Sequence, residues 1–436
     1  MVEGDVALDD TVQQLLNIDE EVQNRSKHHS WSIYMVPSVI RDLSPRYYTP
    51  QVVSIGPLHH EDKHLIGFEV HKATYMHNLF HNVLHPLDST PEQIMKACVT
   101  RVSGSIDQIK ARYIGMKPYP DSKLVKMMVT DACFILAFIY NHNIGYSPLG
   151  ENGMLCWHIL IDMFLIENQI PFFVLQDIFE CTFLKLHPAL SLADFIFRIQ
   201  KWCNIYEGDL VTGNSRISST HDHILGFLHK SYQNPDREPS RCLKRLKGHS
   251  VVELDRSGVR FGKKLDAKWP MAMELEFSRF LCFPLSWSKP TLKMPVLGLY
   301  DGTEPIVRNL IIYEQSALVQ TCVTSYMKVM DMLIDIPEDV AMLTKSQVLS
   351  HGLGSDAKAA NLMNNMLKEI PITDFYYADE WEQIDKYYNA YWPNHIAQLN
   401  RKYFSNPWSI IALIAGFVLF VLTVVQTVYG VKAACP

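Results

Sequence analysis

The chain has 436 residues, of which 48% are apolar and 20% are charged, and its formal net charge is −6. This length allows one large domain or two medium ones with proper cores. A weakly acidic net charge gives no argument for nucleic-acid binding, so we predict no nucleic-acid partner. The nine cysteines are odd in number and form no C-x-x-C pair, which predicts buried reduced thiols rather than disulfides or a zinc ribbon.

The first part of the chain alternates between polar and proline-rich stretches. Residues 1–30 predict a short helix over 9–22 followed by a polar linker, with no apolar core of a secretory signal. Four prolines interrupt residues 33–58. Within them, Gln51–Ile55 is typical of a strand that Gly56 ends.

Helical patterns dominate the next segment. Residues 92–113 place apolar side chains on one stripe, and 122–141 and 154–180 are apolar nearly all round, which predicts central core helices. Residues 205–255 are polar and irregular, so they predict a surface excursion. Around 257–303, glycine, proline and β-forming residues predict a small antiparallel sheet.

Helical patterns then resume, over about 304–335, 337–345, 356–370 and 379–404. We therefore predict a mainly α (α+β) fold. It comprises a helical globular body, formed by a single domain over 31–404, with a small antiparallel β element.

The end of the chain is its most apolar part. From Ser405 to Val431 there is no charged side chain, and a helix from Trp408 to Tyr429 reaches roughly 33 Å, enough to cross a hydrocarbon core of about 30 Å. This predicts one C-terminal transmembrane helix over 405–431, with Trp408 and Tyr429 as its interface anchors.

Such a helix would be a single-pass tail anchor in membrane lipid, with the body in the cytosol and a short tail over 432–436. Whether the membrane is the plasma membrane or an endomembrane stays open. Ala412 and Gly416 form a small-x-x-x-small pair, which leaves self-association of the anchor, and thus a homo-oligomer, open.

Two histidine patterns are candidate sites. His158 and Asp162 fit the H-x-x-x-D pattern of one acyltransferase class, but the D-F-G-W-G motif of that class is absent, so we favour a packed structural histidine. His77, His81 and His85 recur every four residues, and we favour a solvated face over a metal site. The chain also lacks G-x-S-x-G, Walker A and G-x-G-x-x-G motifs. We assign no catalytic, cofactor-binding or metal-ligating residue.

An unusual polar triplet lies inside an apolar run. Glu167, Asn168 and Gln169 are followed by Pro171, which has no N–H to donate. Buried polar groups need partners, so we predict that Asn168 and Gln169 donate to freed carbonyls and fix a kink. A catalytic carboxylate at Glu167 is the alternative.

This triplet begins a motif that resembles the central signature of a plant family known as domain of unknown function 247. Other blocks of the chain are similar to the family in the same order: Ile33–Pro37, Tyr48–His60, Asp131–Leu136, Asp222–His229, Gly258–Phe261, Arg308–Gln315, Pro337–Leu343 and Tyr403–Trp408. One departure is Ile166, where family members often carry a second acidic residue. This departure weakens any paired-carboxylate site at Glu167.

The resemblance implies a plant-specific, membrane-associated protein without an established enzymatic activity. Some members are implicated in self/non-self recognition between pollen and stigma in grasses. We therefore favour a membrane-tethered, non-catalytic recognition or signalling protein that binds another protein and needs no cofactor. The alternative is a membrane-bound enzyme, such as a transferase, that uses His158 or Glu167.

Overall fold

The computed structural model describes residues 12–13, 31–85, 87, 89–146, 148, 150, 152–207, 221–234, 236–241, 247–264, 269–278, 289–316, 319–389 and 407–434. Most of the predicted helix over 9–22 lies outside these residues. The described chain is mainly helical, with small sheets.

The helices are, in chain order, α1 (Ser38–Arg41), α2 (Glu69–Asn78), α3 (Pro91–Gly104), α4 (Ile106–Ala111), α5 (Asp121–Asn143), α6 (Gly153–Asp162), α7 (Phe172–Cys181), α8 (Phe183–Leu186), α9 (Leu192–Gln200), α10 (Ile224–Lys230), α11 (Val251–Ser257), α12 (Thr303–Ser316), α13 (Cys322–Leu333), α14 (Pro337–Lys345), α15 (Asp356–Met366), α16 (Ala378–Asn389) and α17 (Pro407–Ala434). The strands are β1 (Ile33–Tyr34), β2 (Tyr113–Ile114), β3 (Tyr206–Glu207), β4 (Ser240–Arg241), β5 (Arg260–Lys263), β6 (Glu274–Ser278), β7 (Lys289–Met294), β8 (Val296–Leu299), β9 (Leu349–His351) and β10 (Asp374–Phe375).

The chain divides into two compact units. Unit 1 comprises residues 1–205, 209–233 and 301–323, and unit 2 comprises residues 206–208, 234–300 and 324–436. The predicted single domain over 31–404 stays a prediction, because compact units defined by contacts need not be separate domains.

Unit 1 is built around α5, whose buried side chains lie on nearly every face of the helix. Helices α2, α3 and α7 pack against it. A capping box between Thr90 and Gln93, with Pro91 at the first helical position, fixes the start of α3. The parallel pair β1–β2 also belongs to this unit.

Unit 2 contains the remaining sheets, and their pairing differs from the predicted antiparallel element. In the sheet β5–β7–β6, β7 pairs parallel with β5 and antiparallel with β6. In the sheet β3–β8–β9, β8 pairs antiparallel with β3 and parallel with β9. Strands β4 and β10 form an antiparallel pair. The β-forming segment over 257–303 thus supplies strands to two mixed sheets, because residues far away in the chain pair with β8.

Two local predictions differ from the structure. The predicted core helix over 154–180 is interrupted, because α6 ends at Asp162 and α7 begins only at Phe172. Residues 163–171 between them are buried throughout, and apolar spacing alone cannot separate a buried loop from a buried helix. Within the predicted excursion over 205–255, α10 is buried rather than exposed.

The predicted C-terminal anchor is not supported. Over the part of the chain that the structure describes, no helix is long and apolar enough to cross a membrane. The transmembrane helix predicted over 405–431, and the membrane localisation that rested on it, are therefore wrong. Tyr429 is exposed, and the side chain of Trp408 is outside the described residues.

Candidate functional site

The polar triplet lies on the buried segment 163–171, which we call the signature loop. Pro171 is the residue before α7, a position where a missing N–H leaves no intrahelical bond unmade. Glu167, Asn168 and Gln169 are all at most 2% exposed. Their hydrogen-bond partners therefore decide whether the loop has a structural role or forms a functional site.

The carboxylate of Glu167 is fully occupied by partners from unit 1. Its Oε1 accepts from the Val36 N–H at 2.7 Å and from the Arg41 guanidinium, and its Oε2 lies 2.8 Å from His59 Nε2. The other ring nitrogen of His59 lies 2.7 Å from a carboxylate oxygen of Asp62.

This arrangement favours a fixed ionic network over a catalytic acid or base. Burial alone would lower the pKa of His59, but its hydrogen bonds to Glu167 and Asp62 raise the pKa above the ordinary value. Both ring nitrogens are engaged, so the imidazole has no free nitrogen to offer a substrate.

The two amides of the signature loop are also satisfied. Asn168 Oδ1 accepts from the Ile55 N–H at 2.7 Å, and its Nδ2 donates to the carbonyls of Val53 and Asp162 at 2.9 Å each. Gln169 Nε2 donates to the carbonyls of Met163 and Leu165 at 2.7 and 2.8 Å.

The segment 51–56 is held in the same way, by side chains instead of a neighbouring strand. The carboxylate of Asp162 accepts from the N–H groups of residues 51, 52 and 53 at 2.7–3.1 Å. Asp131 accepts from the Gly56 N–H at 2.8 Å and pairs with the buried Lys72 ammonium at 2.6 Å. The strand predicted over Gln51–Ile55 is therefore absent from this described segment, because these donors bind carboxylate and amide oxygens.

The histidines singled out from the sequence lie at the surface. His158 is exposed, so the prediction that it is packed is wrong, and the carboxylate of Asp162 is used by backbone N–H groups. His77, His81 and His85 are exposed, and the rings of His77 and His81 lie 4.3 Å apart.

A half-open cavity of about 330 Å³ in unit 1 has a different character. We call it the aromatic pocket, since its walls include Tyr75, Phe138, Tyr146, Trp157 and Trp202. Its lining residues, all within the described part of the chain, carry no formal charge apart from what His142 could acquire. Burial lowers the pKa of His142, so the imidazole is neutral near pH 7.

One residue of this wall is unusual. Asn141 is 2% exposed, and neither its Oδ1 nor its Nδ2 has a hydrogen-bond partner among the described residues. Leaving a buried amide unpaired costs about 1–3 kcal/mol per group. A second cavity, about 580 Å³ between α3 and α5, has no such orphaned side chain among its described lining residues.

A cluster of three potential metal ligands was not predicted from the sequence. His229 on α10, Glu314 on α12 and Cys322 at the start of α13 are all buried, and one ligand atom from each lies within 4.8 Å of the others. Burial and the neighbouring carboxylate raise the pKa of the Cys322 thiol well above its ordinary value, so it is not an activated nucleophile. Because the three residues lie in separate helices, no local motif could indicate the cluster.

This mainly helical protein, in which the polar side chains of the signature loop are hydrogen-bonded, resembles known plant proteins. The family model for DUF247, described as plant protein of unknown function, matches residues 33–422. The chain belongs to this family of plant proteins of unknown function, as its motifs predicted.

Two Arabidopsis thaliana proteins are similar to it over most of their lengths. UPF0481 protein At3g47200 is 25% identical over 92% of this chain and 86% of that protein. Putative UPF0481 protein At3g02645 is 23% identical over 96% of this chain and 94% of that protein. No solved structure matches the chain.

Proposed function

We propose that this protein is a non-catalytic recognition protein whose aromatic pocket binds a peptide segment of another protein. The observation that carries the proposal is the orphaned amide of Asn141 in the wall of the pocket. The side chain of an asparagine offers one acceptor and one donor group side by side. A peptide backbone presents the complementary pair, an N–H and a C=O, at every residue.

The pocket also suits the side chain of such a segment. Aromatic walls favour an uncharged aromatic or aliphatic anchor residue, and aromatic contacts contribute about 0.5–1.5 kcal/mol beyond the area that they bury. A volume of about 330 Å³ is at the lower end of the range of ligand pockets. Trp202 and Tyr146 are more than half exposed at its walls, as expected for side chains that a partner would cover.

The chemistry of the signature loop supports a non-catalytic role. Glu167, one of the two residues on which the enzyme alternative depends, is 0% exposed with its oxygens engaged. His158 is exposed, and neither residue lines the aromatic pocket. Hydrolases and transferases bring a free nucleophile or base into contact with a bound substrate, and these two residues do not meet that need.

The test begins with a peptide display library selected on the full-length chain. Selected peptides should share an aromatic or aliphatic anchor residue and should quench the fluorescence of the pocket tryptophans, Trp157 and Trp202. Asn141→Leu should weaken their binding about 10–100-fold, the value of one or two hydrogen bonds. Trp202→Ala should weaken it further, whereas Asn365→Leu, at an exposed position on α15, should not.

N-acetyltryptophanamide serves as the minimal probe, since it carries a peptide group on each side of one aromatic residue. Indole lacks those groups. Tighter binding of the amide, lost in Asn141→Leu, supports peptide recognition. Equal binding of indole and the amide, or peptide binding that is indifferent to Asn141, would overturn it.

A further inference from the structure

The cluster of His229, Glu314 and Cys322 combines three side chains that ligate metal ions. Each has at most 3% exposure, and all three lie within unit 1. The atoms face one another: His229 Nε2 lies 2.7 Å from Glu314 Oε1, Cys322 Sγ lies 3.5 Å from the same oxygen, and Sγ lies 3.8 Å from Nε2.

The separations between these three atoms are close to those between the ligand atoms of a tetrahedral zinc site. Zinc binds nitrogen and oxygen at about 2.0–2.1 Å and sulfur at about 2.3 Å, so the ligand atoms are about 3.3–3.6 Å apart. Two of the three separations in the cluster already lie close to that range. Only the hydrogen bond between His229 and Glu314 must lengthen, by roughly 0.6 Å, for the ion to take its place.

We infer that His229, Glu314 and Cys322 form a binding site for a divalent zinc ion. Thiolate and imidazole are ligands of zinc and its chemical neighbours, whereas magnesium and calcium prefer oxygen alone. One thiolate, one carboxylate and a neutral imidazole balance the two positive charges of the ion. A buried site with zero net charge avoids the cost of placing an uncompensated charge in a low-dielectric interior.

Gln233 lies next to the imidazole of His229 and can supply the hydrogen bond that a metal-binding histidine needs at its other nitrogen. Gln233 Nε2 lies 3.3 Å from His229 Nδ1. When Nε2 binds a metal, Nδ1 carries the proton and needs an acceptor. A rotation of the Gln233 amide by half a turn presents its oxygen to Nδ1, so this side chain can serve the ring in either state.

Metal binding would join three helices at one point. His229, Glu314 and Cys322 belong to α10, α12 and α13, and Glu314 Oε1 also accepts from the Val323 N–H at 2.8 Å. The thiol proton is released to solvent, because the thiolate is the ligand. The site has three protein ligands, so a fourth position is left for water or another small ligand.

The experiment uses the full-length chain with His77→Ala, which removes the exposed histidine pair as a competing chelator. After treatment with a chelator and dialysis, the protein is titrated with Zn²⁺ and, separately, with Co²⁺. We expect one bound ion per chain, a thiolate-to-cobalt charge-transfer band in the near ultraviolet, and a midpoint of thermal unfolding that rises with zinc concentration.

Cys322→Ser should abolish the charge-transfer band and weaken zinc binding at least about tenfold. Cys203→Ser removes another buried thiol of unit 1 and should change neither. Gln233→Leu, which leaves the ligands in place, should weaken zinc binding to a smaller degree.

The absence of a stoichiometric ion in the parent chain would overturn the inference. So would a charge-transfer band that survives in Cys322→Ser or disappears in Cys203→Ser. If Cys322→Ser fails to fold, as judged by circular dichroism, the test rests on two other measurements. These are the number of zinc ions bound by the His77→Ala parent chain and the loss of zinc affinity in Gln233→Leu. The inference does not depend on the peptide-binding proposal, and either can fail alone.

Discussion

The signature loop and the aromatic pocket both contain a buried asparagine, and the two differ in what their amides bind. Asn168 makes hydrogen bonds to three backbone groups of unit 1. Asn141 makes none with the described side chains and backbone groups. A buried amide whose partners all come from the chain itself stabilises the fold, whereas one without partners is costly unless a ligand satisfies it. The first region therefore stabilises the fold, and the second has the unsatisfied amide on which the proposed peptide binding rests.

The largest effect should come from Asn168→Leu. This change leaves the Ile55 N–H and the Val53 carbonyl buried without a partner, and it removes the shorter of two hydrogen bonds to the Asp162 carbonyl. We expect the free energy of unfolding to fall by about 3–5 kcal/mol, since each unsatisfied group costs about 1–3 kcal/mol and the losses overlap. Urea denaturation followed by circular dichroism measures it. A loss below about 1 kcal/mol would remove the distinction between the two asparagines.

Gly56→Ala should be the next most destabilising change. Gly56 has a φ of +75°, and an added Cβ would lie 2.5 Å from the carbonyl oxygen of Gln169. We expect a loss of about 2–4 kcal/mol from the left-handed backbone and the clash. Gly67→Ala, where a Cβ meets nothing within 4 Å, is the control and should change stability by less than about 0.5 kcal/mol.

The stability of the protein should depend on pH through Asp162. Burial raises the pKa of Asp162 to about 6, and its three backbone N–H partners offset this only in part. A carboxyl with a raised folded-state pKa adds stability that is present at low pH and is lost as pH rises through about 6.

Lowering the pH from about 7 to about 4 should therefore stabilise the parent chain relative to Asp162→Asn. The expected difference is on the order of 2–3 kcal/mol. Denaturation curves of both proteins at several pH values measure it. A difference of opposite sign would mean that the N–H groups of residues 51–53 outweigh burial.

The smallest effect should come from Asn141→Leu. Replacing an unpaired amide by an apolar group of similar volume should leave stability unchanged or raise it by up to about 1 kcal/mol. The thermal midpoint of the variant, set beside that of Asn168→Leu, completes the comparison. A loss of several kcal/mol would show that Asn141 has partners within the folded chain.

Long apolar periodicity was the most reliable guide in the sequence. The helix predicted over 122–141 corresponds to α5 (Asp121–Asn143), because a helix buried all round needs no particular partner to be recognised. The helix predicted over 154–180 is interrupted, because side chains of the signature loop take the place of helix hydrogen bonds. Asn168 binds the distant Ile55 N–H, and Gln169 donates to the nearby Leu165 carbonyl.

The sites were less predictable than the helices. The polar triplet indicates the signature loop, because polar residues inside an apolar run need partners. Nothing in the sequence separates Asn141 from a satisfied asparagine, since the absence of a partner is a property of the tertiary structure. His229 and Glu314 are 85 positions apart, so their contact also follows only from the packing of α10 against α12.

The dependence of segment 51–56 on later residues has a consequence for synthesis of the chain. Its N–H groups bind Asp131, Asp162 and Asn168, at sequence separations of 75 to 113 residues. A ribosome adds about 5–20 residues each second, so this segment waits several seconds or longer for its partners to emerge. During that time it exposes unpaired backbone next to apolar side chains, which makes the nascent amino-terminal region a natural client for chaperones.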